Sequence, residues 1–121
     1  MDRAQQLLAK FPPSRDRELG RTIGDIRCIT FLGRYYAHKI AGATHLALFR
    51  ANQSPAAQAQ AFSELEKSLV AWQEFSANAR QRYLNPVWLK RVGSVDWEKA
   101  ITNLEDDIAI AREGRPAPVV K

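Results

Sequence analysis

The chain is 121 residues long, 45% hydrophobic and 26% charged, which describes one domain with a real core and excludes a chiefly disordered segment. No apolar run approaches the roughly 20 residues that span a bilayer, the first 30 residues lack the apolar stretch of a signal peptide, and the single cysteine, Cys28, excludes an intrachain disulfide and a cysteine-based zinc centre. The formal charge of +5 invites a nucleic-acid reading, which its distribution along the chain tempers.

Nearly the whole chain scans as helix. Residues 2–11 form a short run that Pro12-Pro13 stops, because proline lacks the amide donor. Ser14 is placed to cap the next helix, with Asp16 and Glu18 in its first turn where the helix dipole favours acids. One long helix is then expected from about Arg15 to Ala51. Its stripe, Leu19, Ile23, Ile26, Thr30, Gly33, Ala37, Ile40, Thr44 and Ala47, advances in steps of three and four, with Ile29, Leu32, Tyr36 and Ala43 widening the buried face. A bend near Gly20–Gly24 is allowed for.

Ser54-Pro55 reads as an N-cap followed by proline at the first helical position. The second long helix runs to about Tyr83 on the stripe Phe62, Leu65, Leu69, Trp72, Ser76, Ala79 and Tyr83, and Asn85-Pro86 ends it. Residues 84–95 form an apolar connector whose Val87, Trp88, Leu89, Val92 and Val95 are expected on the bundle. Asp96 caps a last helix, 97–113, with the stripe Trp97, Ile101, Leu104, Ile108 and Ala111, and Gly114 stops it.

The fold class that follows is all-α: an up-and-down bundle of three main helices plus a short N-terminal helix. It divides into residues 1–13 (short helix and Pro-Pro turn), 14–113 (bundle) and 114–121 (extended tail). The short turn at Ser54 makes the long pair antiparallel, and counting outward from it sets Gly33 near Trp72, Ala37 near Leu69 and Ile40 near Leu65. At 1.5 Å per residue the three helices are about 50, 43 and 25 Å long, so the last is expected to cover only part of the hairpin. That leaves the tip, about residues 42–62, with Leu46, Leu48, Phe49 and Phe62 as a partner-docking patch.

The stretch Asp25–Phe49 (DIRCITFLGRYYAHKIAGATHLALF) resembles the C-terminal helical region of large bacterial glycoside-hydrolase-like enzymes, of the α-glucuronidase and β-hexosaminidase type. LVAWQEFSANA and RVGSVDWEKAITNLEDDIAIAR resemble the next two helices of that region, so that the likeness covers about residues 14–113. The resemblance implies a carbohydrate-active setting in which the catalytic carboxylates lie in a separate barrel domain, and this chain would be a fragment or detached module of such an enzyme. It carries no catalytic residue over to this chain. Arg34, Tyr36 and His38 are the ligand-binding candidates should the module line a catalytic cleft, since they share the long helix and carry hydrogen-bond donors.

Other constellations have plain structural explanations. His38 and His45, seven apart, lie about 10 Å from each other along a helix, too far to chelate one ion, so no metal site and no cofactor are expected. Glu105, Asp106 and Asp107 point in different directions on a helix and cannot flank one bond; Asp107 is placed to pair with a base such as Arg27 or Arg34. Cys28 sits among apolar neighbours as a buried thiol. Trp72 and Trp97 belong to the core, while Trp88 and Tyr35 cover the bundle end or lie on a sugar ring. Residues 14–52 hold seven basic and three acidic side chains, whereas 96–113 hold six acids against Lys99 and Arg112. Such elements attract each other, which disfavours nucleic acid as partner.

No catalytic site is visible. The function these readings suggest is a non-catalytic helical module that docks on or supports a carbohydrate-active catalytic domain. The alternatives are an independent interaction protein, dimerising through the 42–62 tip, and a weak nucleic-acid binder using the basic long helix. The expected partner is another domain of a longer protein or a second copy, with carbohydrate only beside a catalytic domain, and no membrane.

Overall fold

In the computed structural model, which describes residues 2–11 and 16–114, the elements run α1 (Asp2–Leu8), α2 (Arg17–Asn52), α3 (Pro55–Arg80), β1 (Val87–Leu89), β2 (Gly93–Val95) and α4 (Ala100–Glu113). The architecture is all-α apart from the small antiparallel β1–β2 hairpin. The expected roles of Pro12-Pro13, of Ser14 and of the tail beyond Gly114 lie outside the described residues.

Local chemistry sets the ends of the long helices. Asp16, rather than a first-turn residue, is the N-cap of α2: its Oδ1 accepts from the backbone N–H of Glu18 at 2.9 Å and of Leu19 at 3.3 Å. No break occurs at Gly20–Gly24; α2 is one helix through both. It ends at Gln53, which takes a left-handed φ of 55° and donates its N–H to Phe49 O. Ser54 Oγ then accepts from Ala57 N and Pro55 opens α3, as the sequence predicts. The pair is therefore an antiparallel hairpin.

The register of that hairpin differs from the expected one in a consistent way. Trp72 meets Tyr35, with ring centroids 4.8 Å apart, instead of Gly33; Leu65 lies against Gly42 instead of Ile40. Both shifts are two residues along α2. Two residues turn a helix by about 200°, so the seam of α2 against α3 lies nearly opposite the expected stripe, of whose members only Thr30 is buried. Gly24, Cys28, Tyr35, Gly42, Leu46 and Phe49 face inward, while Ile29, Tyr36 and Ile40 face out.

On α3 the seam is built from small residues. Ala61, Ser68, Ala71, Ser76 and Ala79 are buried with Leu65 between them, which lets the two helices approach closely. At Gly24 the Arg82 guanidinium lies directly over the backbone, 1.8 Å from where a Cβ would stand. One core cluster joins Cys28, Ala79 and Trp97 with Trp72, Phe75 and Val87; a second joins Ala61, Leu65 and Ala111 with Leu46 and Ile108. Burial raises the Cys28 thiol pKa, only partly countered by the Arg82 charge, which keeps the sulfur an inert packing atom.

Past α3 the connector folds as a hairpin and is pinned to the next helix by Asn85. The Asn85 amide donates to Asp96 Oδ1 at 2.9 Å, and its oxygen accepts from Trp97 N at 3.1 Å. Asp96 also accepts from the N–H groups of Glu98 and Lys99, which closes a turn over 97–99; α4 itself begins three residues later than expected, at Ala100, with Lys99 at its N-cap position and no side-chain cap. Of the five apolar residues expected on the bundle only Val87 and Val95 are half-buried. Trp88, 76% exposed, with Leu89 and Val92, stands in solvent rather than on the bundle. A three-residue strand points alternate side chains to opposite faces, so one hairpin cannot bury all five.

Helix α4 then lies along α3 and reaches the α2–α3 turn, contrary to the partial cover expected. Its lead-in is anchored at the open end of the hairpin, where Trp97 packs with Cys28 and with Ala79, one residue from the end of α3. The Trp72 indole nitrogen donates to Trp97 O at 2.7 Å and holds that starting point. At the far end the Gln58 amide donates to the carbonyls of Ala111 and Arg112, satisfying orphan acceptors of the last turn. Gly114, at φ 63°, closes α4 against the Phe49 ring; a Cβ there would lie 2.8 Å from Phe49 Cε1.

Candidate functional site

The tip patch does not stay open. Leu46 enters the cluster of Ala61, Leu65 and Ala111; Phe49 lies against Gly114; the Arg112 guanidinium sits 4.8 Å from the centre of the Phe62 ring. Of the four expected docking residues only Leu48 is exposed. The C-terminal turn of α4 supplies the cover that the tip was expected to take from a partner.

The ligand candidates separate in a similar way. Arg34 and His38 line one open groove between α2 and α3, about 740 Å³ in volume, with Ser63, Lys67, Val70 and Glu74 on its other wall. Tyr36 is not in it. Two residues of helix turn its ring away, to stand 53% exposed beside Tyr35, contrary to the buried place expected of it. The groove holds an ion network: His38 Nδ1 donates to Glu64 Oε2 at 2.7 Å and Lys67 Nζ to Glu64 Oε1 at 2.6 Å. The Lys67 bond first, and the His38 bond second, hold the Glu64 carboxyl below its usual pKa. On the other side of the hairpin Asp107 pairs with Lys39, not with Arg27 or Arg34. Burial pulls the Lys39 ammonium down, but Asp107 and Tyr35 outweigh it and leave the pKa raised. These pairs join helices and place no acid and base across a reacting atom. Among the described residues no three of His, Cys, Asp and Glu come together as a metal site, and no helix is long and apolar enough to cross a membrane.

The outstanding surface is the outer face of α2. Leu19, Ile26, Ile29, Tyr36, Ile40 and Leu48 are exposed along it, Ile29 and Ile40 to 64% each. Ala37, Ala43, Thr44 and Ala47 lie exposed between them and Gly33 half-buried at the centre. Taking about 100° per residue, every charged side chain between Leu19 and Leu48 lies about 80° or more from the line through Gly33. The face is about 44 Å long and one helix diameter, about 10 Å, wide. Its area of about 440 Å² is that of the largest apolar patches on ordinary monomers, which are often functional. Single exposed apolar residues are ordinary, but a charge-free row of this length is not.

Thr44 Oγ1 donates to Ile40 O at 2.8 Å, so its hydroxyl needs no water when covered; Thr30, whose Oγ1 donates to Ile26 O at 2.8 Å, is already buried within the chain. Gln5, Leu8 and Ala9 line a small pocket together with Arg27 and Phe31 of α2. The residues of the face are largely those of the stripe that the periodicity picks out as core.

Fold and surface together define the class: an all-α helical hairpin flanked by a third long helix, with one uncharged helix face left open. Comparison of the chain with known protein families, with curated proteins and with solved structures finds no match to any of them.

Proposed function

We propose that the chain is a non-catalytic helical docking module that lays the outer face of α2 against another protein surface. The observation that carries this reading is the uncharged exposed row from Leu19 to Leu48. Fully burying an isoleucine is worth about 1.5–3 kcal/mol, so covering Ile26, Ile29 and Ile40 offers several kcal/mol toward association. The carbohydrate-active setting, with the module buttressing a glycoside-hydrolase-like catalytic domain, is supported by the resemblance of the Asp25–Phe49 segment.

The test replaces Tyr36 with a photo-crosslinking amino acid in cells that express the natural protein, and does the same at Trp88 as an exposed aromatic control. A discrete adduct formed from position 36, not from 88, and abolished by Ile40→Glu is the expected result. Adducts of equal yield from both positions, or none from 36, refute a docking role for this face.

A further inference from the structure

We infer that the open end of the α2–α3 hairpin holds a binding site for a small phosphomonoester, independent of the outer face of α2. The site is a cavity of about 450 Å³ lined by Arg17, Arg21 and Asp25 of α2 and by Gln81, Arg82 and Tyr83 just past α3. Arg17, Arg21 and Asp25 are spaced four apart, so one face of the first turns of α2 carries all three. Arg82 reaches the same place from the end of the other helix. Its guanidinium lies over the backbone at Gly24, and its Nη1 donates to Gly20 O at 3.2 Å. That bond uses one of five N–H donors, so the third guanidinium is fixed in place with donors to spare.

Charge selects the ligand. The lining sets three guanidinium groups against the one carboxylate of Asp25, a surplus of two positive charges. Among the described residues none of these three arginines forms an ion pair. The described acids of the same turn, Asp16 and Glu18, lie outside the cavity lining, and Asp16 is turned to the backbone N–H groups of Glu18 and Leu19. Like charges gathered in this way repel one another, and a bound anion reverses that repulsion. A phosphomonoester carries about 1.5–2 negative charges near pH 7 and three acceptor oxygens, which matches the surplus and suits the guanidinium fork. A single carboxylate would leave one charge over. The Tyr83 hydroxyl donates to Asp25, so the arginines and the Gln81 amide are the donors left for the ligand. The cavity falls in the size range of small-molecule sites and leaves room for the organic part beside the phosphoryl group. The larger groove at Arg34 and His38 has no such surplus, since Glu66 and Glu74 line it and Glu64 is bonded to His38 and Lys67.

The experiment titrates the full, isotope-labelled chain with phenyl phosphate and with inorganic phosphate, followed by proton–nitrogen correlation spectra at an ionic strength held constant with sodium chloride. Both are expected to give saturable shifts of the Gly20, Arg21, Arg82 and Tyr83 amides. Arg17→Gln/Arg21→Gln, checked for an unchanged far-ultraviolet spectrum, should weaken binding at least about tenfold, and Arg21→Gln alone takes its place if the pair disturbs the fold. Arg91→Gln, which removes an exposed base outside the cavity lining, should leave binding unchanged. Shifts that rise without saturating, or that reach Lys90 and Arg91 as strongly, overturn the site, and so does undiminished binding by the arginine variants. Shifts with phenyl phosphate but none with inorganic phosphate would credit the ring instead of the phosphoryl group. That result overturns the inference, as does succinate binding as tightly as phenyl phosphate.

Discussion

Replacing single glycines of α2 by alanine tests the hairpin register directly, because the structure gives each a different neighbourhood. A Cβ at Gly42 would stand 2.7 Å from Leu65 Cγ, 2.9 Å from Leu65 Cδ2 and 3.3 Å from Ala61 O. Leu65 is buried between Ala61, Ala111, Leu46 and Ile108, so it has little room to yield, and the Ala61 carbonyl has less. Overpacking of this kind costs about 1–3 kcal/mol. Alanine recovers about 1 kcal/mol of helix propensity, so Gly42→Ala should destabilise by about 0–2 kcal/mol. A Cβ at Gly20 meets nothing within 4 Å, so Gly20→Ala should keep the full gain of about 1 kcal/mol. The two variants should therefore differ by about 1–3 kcal/mol, or roughly 3–15 °C in Tm for a chain of this size. Urea and thermal unfolding followed by far-ultraviolet circular dichroism measure the difference. The double variant Gly42→Ala/Leu65→Ala should be more stable than the sum of the singles requires, since each removes the other's clash. Equal stabilisation by both glycine substitutions, with additive behaviour in the double variant, would mean that Leu65 does not sit on Gly42 and that the register is wrong.

Two further outcomes follow from the ion network and the core. Glu64 titrates below its usual value of 4.5 because Lys67 and His38 hydrogen-bond its ionised form, so its contribution to stability is present above that value and is lost as pH falls through the lower folded pKa. Glu64→Gln should therefore lie below the parent in urea midpoint near neutral pH and meet it in acid; parallel curves throughout that range would deny the network. The Trp97 indole nitrogen is buried without a hydrogen-bond partner, so Trp97→Phe should cost about 1 kcal/mol or less, against about 3–5 kcal/mol for Trp97→Ala. A phenylalanine variant as unstable as the alanine variant, by urea unfolding, would show that the indole N–H contributes a bond.

The legible parts of the fold were those written in local chemistry. Ser54-Pro55 and Gly114 mark helix ends by a capping bond and a left-handed turn, and each acts where its residue type says it should, whereas Asp96 closes a turn ahead of α4 instead of capping it. Trp72 and Trp97 are core because each is large, apolar and in step with a helix stripe. The candidate site was harder to read. Arg34 and His38 do share a groove, but Tyr36 between them turns outward, since neighbours in sequence are not neighbours on a helix surface. The tip residues Leu46, Phe49 and Phe62 are covered because the start of α4 is set by Trp97, a contact between positions 69 residues apart at its Cys28 end.

By itself the sequence determined that the chain is helical, where the turn between α2 and α3 falls, and that one face of α2 is free of charge from Leu19 to Leu48. Each of those properties depends on residues within a few turns of one another. Which face of α2 is buried was decided only in three dimensions. Periodicity weights Ile29 and Ile40 above Gly24 and Gly42, yet burial goes to the side where small residues of both helices let them close. Tight packing favours two helices meeting through glycine, alanine and serine around a few large side chains, and a hydrophobicity count along one strip of sequence has no knowledge of the surface it will meet.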